Sequence, residues 1–304
     1  MASYSRDVKN ELAHVFDEEE EYLRAELAAL LNIGGIFADG RIDFSTPNAA
    51  VARKVINLLK KVYPDAKKEI ATVRRKVFAQ ITRYVIRIFL TGYTEEFFNN
   101  FNSPEIVPDD FAKVSYLRGA FLAKGTVNKP EKDYYLDIST LSEPAAIFIN
   151  QIWQELDFSP KFFVRKEFFV NYICEGDAVE EFLGMIGAEE SLERFIVVRN
   201  LKEVRANVNR LVNVETANLN RAIAASQKQL EDIRYLQENN IKVNKDLRLA
   251  IKARLTYPEC SVSELAEKLF ITKQGLNYRF KKIHELVLKN ERQIELKKKL
   301  GIRS

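Results

Sequence analysis

At 304 residues, 46% hydrophobic and 30% charged, the chain can bury two or three domain cores. Its two cysteines, Cys174 and Cys260, lie far apart with no Cys/His cluster, which argues against a disulfide framework or a structural zinc site. No apolar run reaches the roughly twenty residues of a membrane span and no signal-peptide core opens the chain, so a cytoplasmic protein with no membrane partner is expected. The net charge of +4 is uneven: residues 200–304 carry +10 and residues 1–199 carry −6. The C-terminal third therefore calls for a polyanion, the alternative being a merely solvated helical surface.

In chain order, residues 1–21 read as a helical arm with Val8, Leu12, Val15 and Phe16 on one face, closing on the acidic run Asp17–Glu21. A small-faced helix follows, from about Tyr22 to Gly34. Ile36–Phe44 reads as a hairpin turning at Asp39-Gly40, and Pro47 precedes an amphipathic helix that stops near Pro64. Strands are expected around Glu69–Phe78 and Arg83–Leu90. After a linker rich in Asn, Pro and Asp near residues 99–110, the order repeats. Leu27–Gly35 returns as Leu117–Gly125, Ile42–Thr46 as Leu136–Thr140, and Ala49-Ala50 with Pro64 as Ala145-Ala146 with Pro160. Strands at Lys161–Lys166 and Phe168–Cys174 and a helix over Asp177–Ile186 complete the second copy. Such an internal duplication of helix, hairpin, helix and strands is an α+β architecture in which each copy completes the other's core.

In the second copy Gly119, Ala120 and Ala123 allow another backbone to approach. Leu117, Phe121 and Leu122 fill the space around that contact, and Gly125 is expected to end the helix in a left-handed turn. Letter by letter, Leu27–Gly35 and Leu117–Gly125 resemble the LAGLIDADG motif of homing endonucleases. In that family the eighth letter is an acid that holds the divalent metal for phosphodiester cleavage. Here it is Gly34 in one copy and Lys124 in the other, and neither can ligate a hard cation. The resemblance thus implies a degenerate scaffold without metal or nuclease activity. It also implies a strand saddle able to straddle a duplex, on which Arg74, Arg83 and Arg87 are possible secondary contacts for DNA or another interface. The acidity of this body counts against strong binding there.

Residues 197–239 form one long helix or two, dense in asparagine. Asn207, Arg210 and Asn213 are further possible contacts to nucleic-acid backbone or to a domain interface, while capping of two shorter helices would explain the asparagines equally well. Residues 240–304 read as three helices: Asp246–Leu255, Ser261–Leu269 with a Ser261/Glu264 capping box, and a third starting after Thr272 with Leu276, Phe280 and Ile283 inward. Off that stripe stand Lys273, Gln274, Asn277, Tyr278, Arg279, Lys281 and Lys282. Gln and Asn read adenine, Arg reads guanine and Lys neutralises phosphate, so a short helix, a brief turn and a longer basic helix point to a helix-turn-helix on double-stranded DNA. There is no phosphate loop, no nucleophile elbow and no Cys–His pair. His14 and His284, the only histidines, read as surface or packing residues.

With both halves in view the chain resembles the WhiA family, through Tyr116–Leu122, Asn128–Tyr134 and above all Val208–Asn220. That family joins a degenerate LAGLIDADG domain to a C-terminal helix-turn-helix similar to the DNA-reading region of sigma factors. The resemblance implies an arm over 1–21, a duplicated LAGLIDADG-like domain over 22–196 (copies about 22–98 and 113–196), an Asn-rich helical linker over 197–239 and an all-α helix-turn-helix domain over 240–304. It further implies a nucleoid-associated DNA-binding regulator of transcription, sporulation or cell division. Such a protein would need no cofactor, would not be an enzyme, and would take partners from the transcription or division machinery. The competing reading is an active LAGLIDADG nuclease or RNA-processing enzyme, which the absent acids at 34 and 124 disfavour.

Overall fold

The computed structural model describes residues 3–38, 40–76, 80–89 and 101–299, the side chains of 74–76, 80–81 and 297–298 excepted. It divides into two units, residues 1–203 and 204–304, each with its own core.

In the first unit, α1 (Tyr4–Leu12) is capped by Ser3, whose Oγ accepts the Arg6 N–H, and buries Tyr4, Val8 and Leu12. The arm is shorter than its apolar spacing suggests. The chain leaves the helix after Leu12, and Phe16 instead lies beneath the ammonium groups of Lys54 and Lys61, 4.0 and 4.9 Å from its ring centre. The acidic run does not end the arm either. Glu20 and Glu21 form the first turn of α2 (Glu20–Gly34), where carboxylates are stabilised by the positive end of the helix dipole.

A hairpin of β1 (Gly35–Ala38) and β2 (Arg41–Thr46) follows, with Gly40 at φ +71°; Asp39 lies outside the described residues. Asn48 caps α3 (Ala49–Val62) by accepting the Ala50 and Val51 N–H groups. β3 (Lys68–Lys76) and β4 (Gln80–Phe89) complete a sheet of order β1-β2-β4-β3. The expected strand ends at Phe78 and Leu90 lie outside the described residues.

The second copy repeats the plan: α4 (Asp110–Lys124), β5 (Gly125–Val127), β6 (Leu136–Thr140), α5 (Glu143–Glu155), β7 (Lys161–Arg165) and β8 (Phe168–Ile173), with sheet order β5-β6-β8-β7. Alternation places Ile42 and Phe44 of β2, and Leu136 and Ile138 of β6, against the helices. α6 (Gly176–Met185) closes the copy.

The copies meet along α2 and α4. A Cβ built on Gly119 would stand 2.3 Å from the Glu26 carbonyl oxygen and 3.0 Å from Ala29 Cβ, so only glycine lets the helices come this close. Gly125 departs from expectation. Its φ of −67° and ψ of 150° are extended, and the residue passes directly from α4 into β5. Glycine is needed there for space rather than for handedness, because a Cβ would sit 2.2 Å from the Phe121 ring.

The helix α7 (Glu189–Glu238) runs through the division between the units. In the second unit its Leu236 joins α8 (Lys245–Thr256), α9 (Val262–Lys268) and α10 (Lys273–Lys299) around Leu247, Ala250, Leu265, Leu276, Phe280 and Ile283. No helix among the described residues is long and apolar enough to cross a membrane.

Candidate nucleic-acid interface

The local chemistry of the C-terminal unit explains why a short helix hands over to a long one. Ser261 Oγ accepts the Glu264 N–H at 3.3 Å while Glu264 Oε2 accepts the Ser261 N–H at 2.6 Å, a complete capping box. Those bonds hold the Glu264 carboxyl below the usual carboxylate range. α9 closes with Ile271 N–H donating to Ala266 O and Phe270 N–H donating to Glu267 O, both at 3.0 Å. Thr272 then caps α10, its Oγ1 accepting the Gly275 N–H at 3.1 Å.

A buried arginine braces this arrangement. Arg254, 1% exposed, donates to Gln229 Oε1 at 2.9 Å and to the carbonyls of Pro258 and Cys260, and lies 5.5 Å from the Phe280 ring centre. His284 Nδ1 lies 3.0 Å from both carboxylate oxygens of Asp232, which ties α10 to α7.

The seven C-terminal candidates separate into two groups. Lys273, Gln274, Asn277, Tyr278 and Lys281 are exposed along the open side of α10. Arg279 is only 22% exposed; it turns toward the start of α8, with Nη2 3.8 Å from Asp246. Lys282 pairs with Glu285 at 2.7 Å, which raises its pKa, and lies 5.5 Å from the Tyr278 ring. Together with Tyr278, Arg279 and Lys282 border a groove between α10 and the start of α8. On α7, Arg210 donates to Asn207 Oδ1 at 2.7 Å, and Asn213 is exposed.

Part of the positive charge on the first sheet is already paired. Arg87 is shared between Asp43 at 3.5 Å and Glu69 at 3.9 Å, and Arg41 also lies 3.5 Å from Asp43. Arg83 is exposed on β4, while the Arg74 side chain lies outside the described residues. The second sheet adds aromatic rings, with Tyr172 5.4 Å from both Tyr135 and Phe163, beside the exposed Lys161 and Arg165.

The metal positions of the LAGLIDADG motif do not suit a cation. A Cβ on Gly34 would fall 2.5 Å from the ring of buried Phe44, so the space for an acid there is taken by carbon. At the other position Lys124 is exposed, and its charge, after burial, helps push the Lys9 pKa down to about 8. An ammonium group thus stands at one position where an oxygen ligand would be required, with a second, Lys9, close enough to feel its charge. Among the described residues no three His, Cys, Asp or Glu side chains gather as a metal site.

Lys9, Arg254 and Phe270 were not apparent as notable residues from sequence. Arg254 had a detectable signal: it occupies a stripe position of α8 with Leu247 and Ala250, where an apolar residue is expected. Lys9 depends on its burial and on Lys124, and Phe270 on its backbone conformation and exposure, none of which periodicity encodes.

Comparison with known proteins places all three segments. The WhiA N-terminal LAGLIDADG-like domain matches residues 20–101, the WhiA LAGLIDADG-like domain residues 113–205 and the WhiA C-terminal HTH domain residues 208–287. The "probable cell division protein WhiA" of Latilactobacillus sakei is 35% identical over 94% of this chain and 97% of its own length. The protein of the same name from Geobacillus thermodenitrificans is 36% identical over 93% and 95%. Full-length WhiA from Thermatoga maritima shares the fold, with a TM-score of 0.62 at 24% identity over 95% of this chain and 99% of that one. Paired LAGLIDADG-like copies followed by a helix-turn-helix, together with identity above one third across nearly the whole length of its relatives, mean that this chain belongs to the WhiA family.

Proposed function

We propose that this chain is a sequence-dependent DNA-binding protein, a transcription regulator or nucleoid-associated factor of cell division or sporulation, which reads the duplex through α10. The observation that carries the reading is the open side of α10, where Gln274 and Asn277 stand between Lys273 and Lys281 behind a capped turn. Amide side chains at the start of a recognition helix match the major-groove edge of adenine, and the lysines match phosphates. The names of its relatives support the division role, and the charge of residues 200–304 supports a nucleic-acid partner. Protein partners from the transcription or division machinery would then meet surfaces other than this one.

We further propose that the LAGLIDADG-like unit does not cut DNA, on the grounds of Phe44 against Gly34 and of Lys124 at the second motif position. The full chain should therefore bind a duplex with a steep salt dependence and leave supercoiled DNA intact in Mg²⁺ or Mn²⁺. Replacing both Lys273 and Lys281 by Glu should abolish binding without lowering the melting temperature. Unchanged affinity in that variant would refute the interface; metal-dependent cleavage by pure protein would refute the second proposal.

A further inference from the structure

Among the described residues, four helix ends close with the same paired bonds, in which the residue after the cap takes a left-handed conformation and the next N–H reaches back to the last helical turn. At three of them that residue is Asp157 (φ 62°), Gly187 (φ 87°) and Asn240 (φ 51°), the types that tolerate this conformation. At the fourth, the end of α9, it is Phe270 at φ 55°. An aromatic side chain is penalised there, and the closing hydrogen bonds offset that cost without any packing of the ring. Phe270 is 96% exposed, and its ring makes no aromatic or cation–π contact among the described residues. A large apolar ring is thus held in solvent at a backbone position suited to glycine.

Its place in the fold indicates what it touches. Phe270 lies in the turn between the two helices of the helix-turn-helix, two residues before the Thr272 cap and beside the exposed Lys273 and Gln274. Lys268 and Lys273, both exposed, flank it in sequence. A ring between two lysines at the leading end of a recognition helix meets the major groove of a polyanion. The apolar group that the bases display in that groove is the 5-methyl of thymine.

We propose that Phe270 is a specificity-determining residue whose ring packs on a thymine methyl beside the bases read by Gln274 and Asn277. This rests on the DNA-binding reading above. The hydrogen-bonded left-handed backbone sets the ring on the outside of the turn before the duplex arrives, so the contact needs no rearrangement of the turn.

The test uses the full chain and the duplex it selects most tightly from random sequence, with each thymine replaced in turn by deoxyuridine, which removes only the methyl group. One or two replacements should weaken wild-type binding roughly fourfold, the value of one buried methyl group. Phe270→Asn, which suits the backbone as Asn240 does, should melt no lower than wild type, bind the thymine duplex about tenfold more weakly and lose the deoxyuridine effect. Equal affinity of Phe270→Asn and wild type would overturn the proposal. So would a weakened variant that still distinguishes thymine from deoxyuridine at the same positions. If wild type selects no duplex at all, it is the DNA-binding reading that fails; if Asn277→Ala weakens binding while Phe270→Asn does not, only the assignment of Phe270 fails.

Discussion

Glu26 and Lys54 stand 3.0 Å apart with both side chains wholly removed from solvent, and Arg118 lies 3.7 Å from the other carboxylate oxygen of Glu26. Asp17 completes the group at 2.8 Å from Arg118, and Lys54 also donates to the Val15 carbonyl. Burial pushes the Glu26 pKa up, against the pull of the two cations. The cluster joins both copies and the segment after α1. Glu26→Ala would leave the buried Lys54 without its carboxylate partner and facing Arg118, with Asp17 the remaining counter-charge on the arginine, so it should lower the stability of the first unit by about 3–5 kcal/mol. Chemical denaturation followed by near-ultraviolet circular dichroism measures this; a loss below 1 kcal/mol would mean that the cluster is wetter than the geometry shows.

Gly119→Ala adds a single carbon at the crossing of α2 and α4, where it meets backbone rather than a movable side chain. Overpacking of that kind should cost about 1–3 kcal/mol. The same change at Gly184, where a Cβ meets only Leu192 Cδ2 at 3.2 Å, should be milder. Comparable melting temperatures for the two variants would show that the helices do not touch at residue 119.

Lys9 supplies a pH dependence. Its folded pKa is near 8, below the ordinary 10.5, first because it is buried and then because Lys124 is close. Between those values the unfolded chain holds a proton that the folded chain lacks, so this residue makes stability rise as pH increases from about 8 to 10.5 and makes it lowest below that window. Lys9→Met should stabilise the protein at pH 7, on the order of 1 kcal/mol or more, and remove that rise. A steeper rise in the variant would contradict the assignment.

The two groups on α10 should respond differently to mutation. Asn277→Ala should cost about 1–3 kcal/mol at one base and relax preference there, whereas Lys281→Ala should weaken all sequences alike and flatten the salt slope by about one. Arg279→Ala should lower discrimination less than Asn277→Ala, since its guanidinium faces Asp246. Binding titrations over a salt series on matched and single-mismatch duplexes would separate these outcomes.

The duplication was legible because it is written in local patterns. The alternation that makes Ile42–Thr46 and Leu136–Thr140 strands needs only their own residues, and the Ser261/Glu264 box needs only four positions. The small-residue helices were legible too, but the reason for Gly125 was not, since its constraint comes from how Phe121 folds back over it. For the interface, helical spacing separated the core stripe of α10 from the rest. It could not say which flank α8 would cover, and Arg279 therefore reads like Asn277 in sequence. The filling of the space at Gly34 by Phe44 depends on how β2 lies against α2, which the residues around Gly34 do not reveal.

Glu11 accepts hydrogen bonds from the backbone N–H of Ser191 at 3.0 Å and of Glu190 at 2.6 Å, and Tyr4 donates to the Ser191 carbonyl at 2.7 Å, closing a span of 180 residues. On the ribosome, the arm emerges about 180 residues before the partners at Glu190 and Ser191. Until residue 191 has cleared the exit tunnel, α1 lacks these partners, and the amphipathic arm is open to chaperones and proteases for most of the synthesis of the first unit. The start of α7 is likewise uncapped until the arm reaches it. A truncated nascent chain released before that point would carry both copies and still lack the clasp, so the length of translated message, rather than either copy alone, sets when the first unit becomes resistant to degradation.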